Sequence, residues 1–181
     1  RRFEFAGNVR RLYKTMATDI KKQIKDKLEK VVVNVGVGKK AVSQSGFDSK
    51  ILPEITKELS QLTGQKPATR VATKSIAGFK LRQGMVVGLK VTLRGKRMID
   101  FVERLNKIVL PRLRDFRGLE LKNIDQGGGL SIGLQDHLVF PEINPETSKA
   151  NFGLQITLVP KVKDRESAID FYRQIGVPLK K

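Results

Sequence analysis

The chain has no cysteine and only one histidine, His137. Without cysteine it can form no disulfide, no thiolate metal site and no cysteine nucleophile. A single imidazole leaves too little material for a histidine metal cluster or a Ser-His-Asp triad. We therefore expect neither an enzyme nor a bound metal or cofactor.

Long apolar runs are also missing. No run approaches the 18 residues that indicate a transmembrane helix, so no membrane partner is expected. The Arg-Arg start lacks the apolar segment of a secretory signal. However, 39% of the 181 residues are hydrophobic, which is too many for a disordered basic tail. We expect one soluble, intracellular domain over residues 1–181.

Acidic residues are scarce, and their absence is concentrated. The chain has 36 basic and 18 acidic residues, a net charge of +18, and the 41 residues from Leu59 to Ile99 contain no acid at all. Nine cations lie in that window: Lys66, Arg70, Lys74, Lys80, Arg82, Lys90, Arg94, Lys96 and Arg97. One-signed charge opposes compaction but favours a polyanion, which releases counterions on binding. Nucleic acid is the leading partner, and a merely solvated basic face is the alternative.

Hydrophobic periodicity predicts the order of the elements. Apolar residues at helical spacing predict helices at 12–28, 51–62, 98–109 and between Asp164 and Gly176. Runs of β-branched and apolar residues predict strands, which are Val31–Val35, Val71–Ser75, Met85–Leu93, Leu130–Leu134 and Phe152–Val159. Neighbouring strands imply hairpins. The predicted fold is an α+β two-layer sandwich, a mainly antiparallel sheet with helices packed on one face.

Four residues predict where helices begin and end. Pro53 is tolerable only in a first turn, and Gly64 stands where a left-handed C-cap is expected. Pro111 is predicted to stop the third helix. Asp164 is predicted to cap the last helix.

Two motifs resemble catalytic or nucleotide sites without their context. Gly36-x-Gly38-x-x-Ala41 follows a predicted strand, as a dinucleotide-binding turn would, but no second parallel strand with a terminal acid follows it. The glycines more simply permit a close approach to the backbone. His137 stands beside Asp136 without a nucleophile or oxyanion donors, so we interpret it as a structural histidine.

Six motifs together carry a specific resemblance. They are VNVGVG at 33–38, TGQKP at 63–67, KSIAGFKLRQG at 74–84, KVTLRG at 90–95, PRLRDFRGL at 111–119 and VFPEI at 139–143. In this order they closely resemble the bacterial-type large-subunit ribosomal protein five family, over roughly residues 31–181. The resemblance implies an RRM-like fold that binds 5S ribosomal RNA in the central protuberance. It also implies 23S-type ribosomal RNA and neighbouring ribosomal proteins as partners.

The resemblance assigns roles to particular residues. Asn34, Gln65 and Thr92 are expected to form hydrogen bonds to 5S RNA, with close backbone approach at Gly36 and Gly38. The expected phosphate contacts are Lys66, Lys90 and Arg94. Because the chain lacks the RRM signature of aromatic residues on two adjacent strands, we expect the sheet contacts to be polar rather than stacked.

Two further segments are assigned by the same resemblance. The loop at 75–84 is expected to reach peptidyl-site transfer RNA through Lys74, Ser75, Phe79, Lys80 and Arg82. The alternative for Phe79 is that it folds back onto the core. Three arginines, Arg112, Arg114 and Arg117, are expected near an intersubunit bridge. The expected neighbour there is small-subunit protein thirteen. Their local role is helix capping and pairing with Asp115.

One segment departs from the family pattern, and one alternative function stays open. Residues 1–30 form a predicted N-terminal helix that runs straight into Val31, without the family's Phe-x-Tyr-x-Asn segment. A bacterial cytoplasmic ribosome is the expected location, with an organelle ribosome as the alternative. The alternative function is a free-standing RNA-binding or regulatory module that uses the same sheet.

Overall fold

The computed structural model describes residues 19–43, 46–114, 116–148 and 150–180. Helices are α1 (19–27), α2 (Gly38–Ser43), α3 (Leu52–Thr63), α4 (Gly95–Arg104), α5 (Leu110–Arg112) and α6 (Arg165–Gln174). Strands are β1 (Leu28–Gly36), β2 (Ala68–Val71), β3 (Val86–Leu93), β4 (Leu130–Leu134) and β5 (Leu154–Pro160). Within the described ranges, none of the helices combines the length and apolar character needed to span a bilayer.

The five strands form one antiparallel sheet in the order β2-β3-β1-β5-β4. β1 is the central strand, and both of its neighbours come from distant parts of the chain. The predicted α+β architecture with an antiparallel sheet is therefore confirmed. The terminal helix signals are confirmed as well, since Gly64 ends α3 at φ 66° and the Asp164 carboxylate accepts a hydrogen bond from the Ser167 amide in α6.

Alternate residues of each strand face opposite sides of the sheet, as the two-residue period of a strand requires. In β1, Val31, Val33 and Val35 are buried, while Val32 and Asn34 on the other face are only partly covered. The same alternation occurs in β3, β4 and β5. Helices α2, α3 and α4 pack on the buried side. Among the described residues no helix lies over the opposite side, which we call the open face.

Two sequence predictions are wrong in their boundaries. The predicted strand Val71–Ser75 instead ends at Val71, and its pairing with β3 begins at Ala68. Ala68 has little strand propensity of its own, and the partner strand overrides that preference. Leu28 begins β1 opposite Pro160 instead of ending the first helix. Residues 1–18, including Leu12 and Met16 of the predicted first helix, lie outside the described residues.

Pro111 does not stop the third helix but lies inside its final turn. The helix widens into a π-helical segment at Leu105–Val109 and ends at Arg112. Proline cannot donate to the carbonyl four residues earlier and clashes with it. The wide turn lies directly before Pro111 and relieves that clash, so the chain continues helically to Arg112 before it leaves the helix.

Candidate nucleic-acid interface

The open face is lined by polar side chains in register across neighbouring strands. Lys90 of β3, Asn34 of β1 and Gln155 of β5 are direct cross-strand partners. In a second row, Val32 of β1 lies between Thr92 of β3 and Thr157 of β5. Ser131 of β4 ends the row, and its Oγ lies 3.3 Å from Thr157 Oγ1. Such partners have Cβ atoms about 4.5–5.5 Å apart, so the groups can contact one ligand together.

Three of the residues that the resemblance assigned to RNA share this face. Asn34, Lys90 and Thr92 are half-buried, with their polar ends on the side that no described helix covers. Gly36 ends β1 on the same face, and a Cβ placed there would meet nothing within 4 Å. Gly38 lies apart from them at the start of α2, where a Cβ would be in ordinary contact with Val87 at 3.8 Å.

Gln65 and Lys66 reach the same region from the end of α3. The left-handed turn at Gly64 redirects the chain towards β3. Gln65 Nε2 then lies 3.5 Å from the backbone oxygen of Thr92, and its Oε1 lies 3.5 Å from Arg97. Lys66 is exposed beside it. The loop therefore extends the open face past the end of β3.

Arg94 differs from the other cations of this surface. It lies at the boundary between β3 and α4, with its guanidinium 3.8 Å from the Glu29 carboxylate. Glu29 also pairs with Lys30 at 3.1 Å. The sequence reasoning missed Glu29, whose contact depends on the pairing of β1 with β3.

Apart from Glu29, the acids that form ion pairs in the described residues do so away from the open face. Glu103 of α4 pairs with Lys21 at 3.0 Å and Lys107 at 2.6 Å, and the Lys107 hydrogen bond lowers the pKa of that carboxyl. Glu142 pairs with Arg104, also of α4. Both acids therefore neutralise cations of α4 or its neighbours. Within the described residues Lys66, Arg70 and Lys90 pair with no acid, and such a surface attracts a polyanion.

The loop between β2 and β3 is a compact projection with an exposed tip. Ile76 and Leu81 form an isolated antiparallel bridge around a 3₁₀ turn at Ala77–Phe79. The Ser75 hydroxyl accepts a hydrogen bond from the Gln83 amide at 3.0 Å. The Phe79 side chain is 71% exposed, so the alternative that it folds onto the core is wrong. Lys74, Lys80 and Arg82 are exposed around it, all on this loop or at its base.

The three arginines after α4 lie on a separate surface. Arg112, Arg114 and Arg117 line a cleft of about 1040 Å³ whose walls include Leu138 and Val139. The predicted pairing with Asp115 concerns a residue outside the described ranges. Leu119, which follows these arginines, is hydrogen-bonded to residues 178–180. Its amide donates to Pro178 O, and its carbonyl oxygen accepts from the Lys180 amide, each at 2.8 Å.

His137 is a buried structural residue. Its Nε2 lies 3.0 Å from Glu58 Oε2 and 3.2 Å from Ser148 Oγ, and its ring stacks on Phe152 at 3.9 Å. Burial lowers the pKa of the imidazole, and Glu58 opposes that shift. Glu58 comes from α3, far from His137 in sequence. The contact therefore joins α3 to the segment before β5.

The Gly36-x-Gly38 motif is not part of a dinucleotide fold. A Rossmann site needs a parallel strand beside the one that precedes the glycines. Both neighbours of β1 are antiparallel to it. Sequence reasoning also assigned no role on the open face to Arg70 or Gln155. The alternation of Gln155 and Thr157 with buried neighbours was the available signal for β5.

Comparison with known proteins gives one consistent result. The family model described as "Ribosomal protein L5" matches residues 24–82, and a second model, for the C-terminus of the same ribosomal family, matches residues 86–179. Proteins named large ribosomal subunit protein uL5 are similar to this chain in three bacteria. The one from Colwellia psychrerythraea is 43% identical, over 94% of this chain and 96% of its own length. Those from Heliobacterium modesticaldum and Fusobacterium nucleatum are 45% and 46% identical, over 85% and 86% of this chain and 83% and 82% of their own lengths.

Proposed function

The chain belongs to the ribosomal protein L5 family, and from that premise we propose that it binds 5S ribosomal RNA through the open face of its sheet. The family is structural and has no enzymatic activity. The relatives are bacterial proteins of the large ribosomal subunit, so this chain is a structural component of that subunit in a bacterial ribosome. Ribosomal RNA and ribosomal proteins are its partners there, and we propose that 23S-type RNA is one of them. We also propose that residues 1–181 form one RNA-binding domain.

The observation that carries the proposal is the shared location of the polar residues. Asn34, Lys90 and Thr92 lie on one face without a described helix over it, and Gln65 and Lys66 meet that face at its edge. Among the described residues this side of β2 and β3 carries cations and no acid. An uncovered face with hydrogen-bonding groups at its centre and cations around it fits structured RNA.

Each residue type has a distinct task in this proposal. The Asn34 carboxamide both donates and accepts hydrogen bonds, and the Thr92 hydroxyl can do the same towards a 2′-hydroxyl or a base edge. The Gln65 amide extends the row. Lys66, Lys90 and Arg94 contact phosphates, which position the RNA without reading its sequence. Gly36 and, by the family resemblance, Gly38 let the RNA approach the backbone closely.

The loop at 75–84 is proposed to contact peptidyl-site transfer RNA. Phe79 is exposed at its tip, with Lys74, Lys80 and Arg82 around it and Ser75 holding its base. An exposed ring can stack on a nucleotide, and the cations can contact phosphates. The loop projects from the β2 edge, so it can reach a second RNA while the sheet holds the first.

Arg112, Arg114 and Arg117 are proposed to face small-subunit protein thirteen across the subunit bridge. Their cleft lies at β4, at the opposite edge of the sheet from β2 and the loop. This assignment follows from the family resemblance. The guanidiniums that line the cleft provide donors for such a contact.

The test is to identify the RNA that co-purifies with the protein and to follow the protein in a sucrose gradient. We expect one small RNA of 5S type and co-sedimentation with large subunits. A free-standing RNA-binding or regulatory module would instead stay near the top of the gradient with mixed RNAs. That second result would contradict the proposal.

A further inference from the structure

The polar row on the open face continues past β1 onto β5. Lys90, Asn34 and Gln155 occupy three adjacent strands in direct register, so the row spans about 10 Å, two strand spacings. Gln155 is exposed. The proposed function uses Lys90 and Asn34 and leaves Gln155 without a role.

A shallow depression lies directly beside this row. Gly36 and Gly88 are opposite each other, and Gly153 lines the same depression. Arg70, the partner of Gly88 on β2, closes one end of it. The polar row thus forms one wall, an arginine forms the end, and exposed backbone forms the floor.

The fold explains two of the three glycines. A Cβ at Gly88 would lie 3.1 Å from Val35 O, and one at Gly153 would lie 3.1 Å from both Leu134 O and Gln135 O. Contacts that short require the backbone to move. Gly36 is different, since a Cβ there would meet nothing within 4 Å and its φ is not in the left-handed region. The fold therefore tolerates a side chain at position 36 and leaves that space open.

The four polar side chains around the depression have no side-chain partner among the described residues. In the described part of the chain, the side chains of Asn34, Lys90, Gln155 and Arg70 take part in no hydrogen bond or ion pair. Gln65 and Arg94 differ, because they contact Thr92 and Glu29. The donors and acceptors around the depression are therefore available to a ligand.

We propose that this depression binds a single unpaired nucleotide of the RNA. The Asn34 and Gln155 carboxamides contact the base edge, and Arg70 and Lys90 contact the adjoining phosphates. Carboxamides pair a donor with an acceptor, and adenine N6 and N7 match that pattern best. Unpaired loop bases are the ones a protein can read in RNA. The inference rests on the proposed function and adds β5 and Arg70 to it.

The test compares Gln155→Ala, Gly36→Val and Arg70→Gln with the parent protein. The probes are a bacterial 5S ribosomal RNA transcript and a fully paired RNA duplex of equal length. Gly78→Val is the matched control, because Gly78 lies in the loop between β2 and β3, away from the depression, and its Cβ position also meets nothing within 4 Å. Thermal unfolding of each variant checks that it is folded.

We expect Gln155→Ala and Gly36→Val to weaken 5S RNA binding at least fivefold while duplex binding and the unfolding midpoint stay unchanged. Gly78→Val should stay within twofold of the parent. Arg70→Gln should also reduce the slope of log affinity against log salt by about 0.7–0.9, the loss of one phosphate contact. Gln155→Ala should leave that slope unchanged.

The inference is overturned if Gln155→Ala and Gly36→Val both stay within twofold while Asn34→Ala weakens binding. In that case the RNA contact ends at β1 and the proposed function stands. An equal loss in Gly78→Val would also overturn it, because the effect would not be local to the depression. If the parent protein fails to bind 5S RNA, the proposed function falls with it.

Discussion

The two faces of the sheet are made from alternate residues of the same strands, and they have opposite chemistry. On the helix side, Val31, Val33 and Val35 of β1 are buried together with Val91 of β3 in a continuous apolar core. On the open face the intervening positions carry an amide and an ammonium, Asn34 and Lys90. Adjacent residues of one strand therefore serve different properties: one stabilises the fold and the next is available for binding. Substitutions at neighbouring positions should separate the two properties.

The largest expected effect is on the buried face. Leu93→Ala removes a fully buried side chain of β3, so the free energy of unfolding should fall by about 2–5 kcal/mol. Affinity for 5S RNA per folded molecule should not change. Denaturant unfolding and RNA titration measure the two quantities. A selective loss of affinity without a loss of stability would break the comparison between the faces.

The open face should show the reverse pattern at the adjacent position. Thr92→Ala, and separately Asn34→Ala or Gln65→Ala, should weaken 5S RNA binding by about 1–3 kcal/mol, because each leaves a polar partner unsatisfied. The unfolding free energy should stay nearly constant, since little apolar volume is removed. If all three variants bind within twofold of the parent, the open face does not hold the RNA.

Lowering the pH should reduce the stability of the fold through His137, which packs against α3 on the helix side. Burial lowers the pKa of His137 from its usual 6.5, so the unfolded chain binds a proton that the folded protein resists. Stability should therefore be retained above pH 6.5 and fall below it, by at most about 1.4 kcal/mol per pH unit for one proton. The measurement is thermal or denaturant unfolding between about pH 7.5 and 5, a range that brackets the ordinary histidine pKa, with His137→Asn as the comparison. An unchanged pH dependence in that variant would assign the effect to other groups.

Charge on the open face should be visible in the salt dependence. Replacing Lys66, Lys90 and Arg94 together by Gln should weaken binding and flatten the salt dependence, by about 0.7–0.9 in the log–log slope for each lost phosphate contact. Arg94 should contribute least, since Glu29 already lies 3.8 Å from it. Single variants rank the three cations. A fall in affinity with an unchanged slope would mean that these cations support the fold.

The smallest effect on 5S RNA is expected from the loop. Changing Phe79, Lys80 and Arg82 to Ala should leave 5S affinity nearly intact, because the loop projects beyond the β2 edge. The hold on peptidyl-site transfer RNA should weaken modestly, since exposed phosphate contacts are screened within about 8 Å at physiological salt. Transfer RNA dissociation from reconstituted ribosomes is the measurement. A folded triple variant that loses 5S RNA would place the loop in the 5S site.

Local signals were sufficient to predict most of the fold. The β-branched run at 31–35, the glycine at 64 and the acid at 164 act through their own backbone preferences, and the structure confirms all three. The β2 boundary could not be predicted in that way. Ala68 enters a strand only because β3 lies beside it, and a sequence without its partner strand does not contain that information.

Some residues of the candidate site could be identified from the sequence, and others depend on tertiary contacts. The family resemblance assigned Asn34, Lys90 and Thr92 to RNA, and the strand register places all three on one face. The contribution of Gln155 depends on the pairing of β5 with β1, and the Glu58–His137 contact depends on the packing of α3. Contacts between residues so distant in sequence follow from the tertiary fold and carry no local pattern.

Because β1 lies between β3 and β5, its two partner strands are synthesised at different times. Asn34 leaves the ribosome first, and its neighbour Gln155 follows 121 residues later. At elongation speeds of about 5–20 residues per second, β1 waits roughly 6–24 s for its second partner strand. During that interval one edge of a valine-rich strand has no native neighbour, which exposes the nascent chain to misassociation. The polar row is complete only after β5 has emerged, so full capture of the RNA by this face must wait for the synthesis of that strand.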